Sequence, residues 1–197
     1  LGLGIGGGAF EEIDDIAGHA DGEEAGGAGD THGTLEEFAA AFGLPYVFAN
    51  HFSGEGLERA LELYRQNFQP SAYLDAPRTF LTANAVVADT AAEADERMLP
   101  QARMMARLRG GRPLIALETV EQARDAESSD HLAARLIDAL RRRWFVGAAA
   151  DQRDRLASFA AAHGVDEIMI SPVAGAYDGE AMEAATGRAR TLELLAA

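Results

Sequence analysis

Gly43-Leu44-Pro45-Tyr46-Val47-Phe48-Ala49-Asn50-His51-Phe52 is the stretch on which the reading of this chain turns. Leu44 to Ala49 is a short apolar run rich in strand formers, with Pro45 tolerable near its start, and it predicts a buried strand. Just upstream, Thr34-Leu35-Glu36-Glu37 has the capping-box pattern, and Leu35, Phe38, Ala39 and Phe42 recur at helical spacing. That predicts a helix with one apolar face, closed by Gly43 as its C′ glycine. Just downstream, Leu57, Ala60, Leu61 and Tyr64 share one face of a helix over 55–67.

The same alternation continues. Pro70 and Pro77 mark a loop over 69–79, and Phe80 to Ala88 (FLTANAVVA) predicts the second strand. Thr90-Ala91-Ala92-Glu93 is another capping box; the helix it opens is expected to break or kink at Pro100. Residues 110–128 are mixed, with a turn at Gly110, Gly111 and Pro113. A helix near 129–143 leads to Trp144-Phe145-Val146-Gly147, and another, about 149–163, ends at His163-Gly164. Glu167 to Ser171 (EIMIS) predicts the third strand, and a helix near 179–196 closes the chain. Helices alternating with strands point to an α/β protein built from parallel βαβ units. Three or four strands are too few to close a barrel of eight.

Charge divides the chain unevenly. Residues 1–58 hold 12 acidic residues and no basic one, whereas the remainder has 17 arginines against 20 acidic residues; the whole chain carries −15. The first 33 residues also contain 11 of the 21 glycines. This predicts an acidic, Gly-rich, irregular leader over 1–33 and a folded domain over 34–197. Gly2-Leu3-Gly4-Ile5-Gly6-Gly7 matches G-x-G-x-x-G formally, but a dinucleotide fingerprint needs a preceding strand and only Leu1 precedes it. The chain opens on Leu1 rather than Met, which leads us to expect a fragment or a processed product.

Composition excludes several functions. No run of about 18 apolar residues is present, and the N-terminus lacks the basic region of a signal peptide, so no membrane is expected and a cytoplasmic location is. Absence of cysteine removes any disulfide framework, and net acidity argues against nucleic acid. Absence of lysine excludes Schiff-base and P-loop chemistry. His19, His32, His51, His131 and His163 show no metal spacing, and no nucleophile elbow occurs.

Several stretches carry a family resemblance in the same order and spacing. They are Gly43 to Phe52; Leu61-Glu62-Leu63-Tyr64-Arg65 with Phe68-Gln69-Pro70-Ser71; Asn84 to Thr90 with Glu93-Ala94; Arg107 to Pro113; and Phe145-Val146-Gly147 with Gly164 to Ile170. Over about 34–197 the chain resembles the bacterial-luciferase-like flavin-dependent monooxygenases. The resemblance implies the C-terminal half of a (β/α)₈ TIM barrel. It also implies reduced flavin mononucleotide (FMN), or a deazaflavin in some branches, used with dioxygen on a small organic substrate. Where the family has an apolar strand and a Gly-Ser-Ser-type phosphate turn, this chain has Gly29-Asp30-Thr31-His32-Gly33-Thr34. Thr31, Gly33 and Thr34 are therefore candidate cofactor-binding residues of a weakened phosphate turn.

In a barrel the C-terminal strand ends carry the chemistry. This makes His51 a candidate proton donor or oxyanion stabiliser, with Asn50 beside it as a cofactor contact. Asn84, a polar residue inside an apolar strand, is the second candidate catalytic residue, since a buried amide must find a partner in cofactor or protein. Ser171 at the third strand's end is a turn former by default. A half-barrel exposes sheet edges, so a homodimer or a complementing chain is expected. Two other readings stay open: a non-catalytic half-barrel remnant or subunit needing a partner, and a small doubly wound nucleotide-binding domain.

Overall fold

The structure, a computed structural model, describes residues 34–51, 54, 56–126 and 131–197. The acidic leader and its Gly-rich motif lie outside the described residues. The chain runs α1 (Leu35–Ala41), β1 (Tyr46–Phe48), α2 (Leu57–Asn67), β2 (Thr79–Ala88), α3 (Ala91–Arg109), α4 (Val120–Asp125), α5 (His131–Arg143), β3 (Phe145–Ala148), α6 (Ala149–His163), β4 (Glu167–Pro172) and α7 (Thr186–Ala196). All strand pairs are parallel, as expected of βαβ units.

β2 is the centre of the sheet. Its odd-numbered carbonyls turn toward β4: Asp166 N–H donates to Thr79 C=O and Val173 N–H to Ala85 C=O, both at 3.0 Å. Its even-numbered carbonyls turn the other way, where Arg78 C=O accepts from Tyr46 N–H. β1 pairs along Thr79–Leu81 and β3 along Ala85–Ala88, so both occupy that second edge, one beyond the other. Past the end of β4, buried Thr191 of α7 stands in for a strand; its hydroxyl accepts from Val87 N–H at 3.0 Å and lies 3.1 Å from Val87 C=O.

The two faces of the sheet differ. Leu81 packs with Tyr46, Leu61 and Tyr64, and Ala83 and Ala85 pack with Phe145, Phe159, Ile168 and Ile170, so α2, α6 and α7 cover one face. On the other face, Val86 and Ala88 meet Met98, Leu140 and Trp144 from α3, α5 and the residue before β3. Below that cluster, among the described residues, the second face exposes Val47 and Met169 and buries Asn84. The register sets Val47 beside Phe80, Thr82 beside Met169, and Asn84 beside Ser171. Val47 is 45% exposed and Met169 51%. Among the described residues, β1 and β4 have no strand on their outer edges.

Several expectations are corrected. The apolar stripe of α1 is turned outward: Leu35, Phe38 and Phe42 are exposed, and only small Ala40 is buried against α2. The first strand covers 46–48 and is covered on one face only. Pro100 neither breaks nor ends α3, which runs 19 residues through it. Proline removes the N–H that Glu96 C=O would receive. The buried ring instead packs against Gly175, where any Cβ would sit 2.6 Å from the Pro100 Cγ, and Gly175 N–H bonds the Arg97 carbonyl at 2.7 Å. Phe145–Ala148 is a fourth strand, and the mixed region contains the short helix α4.

Candidate functional site

β1 ends after three residues because the chain turns at Asn50, but the edge of β2 continues to be satisfied. Asn50 Nδ2 donates to Thr82 C=O at 3.1 Å, extending the ladder with a side-chain amide where a strand residue would stand. The His51 backbone N–H donates to Thr82 Oγ1 at 3.1 Å, and the His51 Nδ1 lies 2.6 Å from the same oxygen. Thr82 Oγ1 also lies 3.3 Å from Phe48 C=O. Asn84 Nδ2 donates to His51 C=O at 3.1 Å. Arg143, at the end of α5, donates to Asn50 C=O and so bridges the gap between β1 and β3.

His51, Asn50 and Asn84, named from sequence, are thus brought together past the C-terminal end of β1, beside the middle of β2. Asn84 is only 8% exposed, and its amide is held by backbone rather than left seeking a partner. Ser171 stands next to it across the β2–β4 pair. Burial and the nearby Arg143 guanidinium lower the His51 pKa below its ordinary 6.5, so the ring stays neutral at pH 7. A neutral imidazole has one N–H donor and one nitrogen acceptor, as proton shuttling requires.

Two members were missed in the sequence. Thr82 is the hub of the His51 bonds; its signal is the period-two spacing Thr82-Ala83-Asn84, which puts both polar side chains on one face of an apolar strand. Arg143 carries no such local signal, because it reaches Asn50 from a helix 93 residues away. Gly54 explains how the loop admits it. Gly54 has φ +69°, and a Cβ there would lie 2.9 Å from Arg143 Nη2.

Thr34 does not join this group. It caps α1, and its N–H donates to Glu37 at 2.8 Å, with Glu36 and Glu37 both in the first turn. That N–H is spent and the carboxylates repel an anion, so Thr34 does not fit a phosphate. Thr31 and Gly33 lie outside the described residues. Among the described residues no group of His, Asp or Glu has the arrangement of a metal site.

No family model matches the chain. A luciferase-like monooxygenase of Escherichia coli (strain K12) is 39% identical over 75 residues, which are 38% of this chain and 22% of that protein. The uncharacterized protein YceB of Bacillus subtilis (strain 168) is 30% identical over 145 residues, 73% of this chain and 42% of its own length. Among solved structures, apo-MsnO8 superposes with a TM-score of 0.66 at 21% identity, covering 97% of this chain and 60% of MsnO8. The chain therefore matches less than half the length of these two curated relatives. The parallel four-stranded sheet with its helices is that of a TIM-barrel fragment, and over the part it spans the chain is similar to a luciferase-like monooxygenase.

Proposed function

We propose that this chain forms part of a flavin-dependent monooxygenase acting with dioxygen on a small organic substrate. The observation that carries this reading is the second sheet face: apolar at Val47, Phe80 and Met169, and polar past the C-terminal end of β1, where His51, Thr82 and Asn84 meet. Such a face suits a flat, largely apolar ring system with polar groups at one rim. Bound reduced FMN, or a deazaflavin, would supply the reducing power. The chain's own contribution is to exclude water along the apolar face and to orient His51 through Thr82 and Asn84. His51, held neutral, would take or give a proton at the ring nitrogen, and the Asn84 amide would fix the His51 backbone.

The test is titration of the 197-residue chain with reduced flavin, followed by flavin fluorescence and oxygen uptake. Saturable binding that His51→Ala weakens is the expected result. No binding at about millimolar flavin, far above the micromolar affinities usual for such ligands, overturns the reading for this chain.

A second reading is favoured by the outer edges of β1 and β4 and by the exposed Val47 and Met169. Eight strands close a barrel, and four leave its interior open to solvent. In this reading the site is completed by a complementing chain or a second copy, and activity appears only in the assembly.

A further inference from the structure

We propose that a groove at the C-terminal end of α5 binds a phosphate-bearing small molecule, at a site separate from the Thr34 turn. The groove has a volume of about 440 Å³ and is lined by Arg142, Arg143, Arg155, Ser158, Phe145 and Phe159, with Asn50 and Asp154 also on its wall. Three guanidinium groups thus converge in a chain of net charge −15. The overall field repels anions, so a ligand here must be held by short-range contacts, which favours a group that several guanidinium groups can grip at once.

Arg142 and Arg155 of this groove are not held in the ion pairs that engage six other arginines. Arg78, Arg97, Arg103, Arg124, Arg141 and Arg190 each meet a carboxylate within 3.3 Å. Among the described residues Arg155 instead meets only neutral oxygens: Gln152 Oε1 at 2.7 Å, Trp144 C=O at 3.4 Å and Arg142 C=O at 3.5 Å. Those bonds use three of the five N–H groups of a guanidinium. Among the described residues the remaining two meet no acceptor. Its plane is also fixed in advance, because the guanidinium carbon sits 5.1 Å from the Phe145 ring centroid. Arg142 is exposed on the last turn of α5, and among the described residues it has no carboxylate partner. Ser158 adds a hydroxyl one turn along α6 from Asp154, and Phe159, half-buried, offers an apolar shelf for the body of a phosphomonoester. Arg143 is engaged with Asn50 C=O and contributes its charge. A tetrahedral dianion with three acceptor oxygens matches these donors better than a single carboxylate does.

Inorganic phosphate and phenyl phosphate titrated into the 197-residue chain, followed by calorimetry and phosphorus NMR, test the proposal. Phenyl phosphate should bind more tightly than inorganic phosphate, and phenol should not bind. Arg142→Ala should weaken binding about tenfold, the scale of one lost charge-assisted hydrogen bond. Asp154→Asn should strengthen it, a gain that misfolding cannot produce. Comparing FMN with riboflavin separates two sources of the phosphate. FMN binding weakened by Arg142→Ala makes the flavin phosphate an occupant. FMN binding indifferent to Arg142→Ala, with phenyl phosphate still sensitive, assigns the groove to another phosphomonoester. Absence of phosphate binding at about 10 mM, weaker than any physiological site of this kind, overturns the proposal. Equal affinity in wild type, Arg142→Ala and Asp154→Asn overturns it as well.

Discussion

At the scale of the residue, Thr82 and His51 carry the argument. Thr82 Oγ1 serves both the backbone N–H and the Nδ1 of His51. Thr82→Val keeps the shape and removes the oxygen, so it should cost roughly 1–3 kcal/mol, the penalty of stranding part-buried donors, as measured by denaturant unfolding. The lowered His51 pKa has a definite sign. The unfolded chain takes up this proton more readily than the folded one, so acidification from about pH 7 to about pH 5 favours unfolding. His51→Asn should therefore show a smaller drop in Tm between those pH values than wild type. Proton NMR of His51 C–H resonances should report a midpoint below 6.5. Glu180 has the opposite sign. Its hydrogen bonds to Arg97 push its carboxyl down to about 2, so it stabilises the fold above its ordinary 4.5 and loses that contribution as pH falls through about 2. Glu180→Gln should cost on the order of 2 kcal/mol at neutral pH and flatten the acid limb of the stability curve.

At the scale of the element, the two faces of β2 make contrasting predictions. Leu81 is fully buried between the sheet and α2, so Leu81→Ala should destabilise by about 2–5 kcal/mol. Met169→Gln, on the open face of β4, should change stability by less than about 0.5 kcal/mol in the chain alone. Thermal melts of the two variants compare them directly. Much of this level was legible in the sequence. The capping box at Thr34 and the side-chain cap of Thr90 placed two helix starts, and Gly43 and Gly164 ended helices with φ +61° and +58°. Which face each element buries was not legible, because Leu35, Phe38 and Phe42 satisfy the periodicity of a core-facing stripe whether or not a partner element is present to cover them. That α3 continues through Pro100 was not legible for a similar reason: Gly175, which accommodates its ring, lies 75 positions later.

At the scale of the whole molecule, distant arginines tie the sheet's ends together. Arg65 of α2 donates to Thr79 Oγ1 and to the carbonyls of His163 and Gly164, satisfying the last turn of α6 across nearly one hundred residues. Arg97, barely exposed, is neutralised by Glu93 and Glu180, and its guanidinium carbon lies 4.4 Å from the Tyr177 ring centroid. Against this internal closure stand the outer edges of β1 and β4, which pair with no strand among the described residues. Sedimentation of the 20.9 kDa chain should show self-association that increases with concentration. Val47→Lys combined with Met169→Lys should shift it back toward monomer, because a charged edge cannot be covered without desolvating the ammonium groups.

Read alone, the amino-acid sequence established the alternation of helices and strands, the parallel α/β class, and the placing of His51 just after a strand and of Asn84 inside one. Those features are written in local periodicity, caps and turn residues, which act over a few positions. Only the tertiary structure decided that Thr82 joins His51 to Asn84, that Arg143 closes the gap between β1 and β3, and that Arg142 and Arg155 share a groove with Phe145. It also decided which apolar face of the sheet is left open. Each of these depends on residues far apart in the chain meeting at one sheet edge, and a parallel sheet brings such residues together through crossovers that leave no local trace.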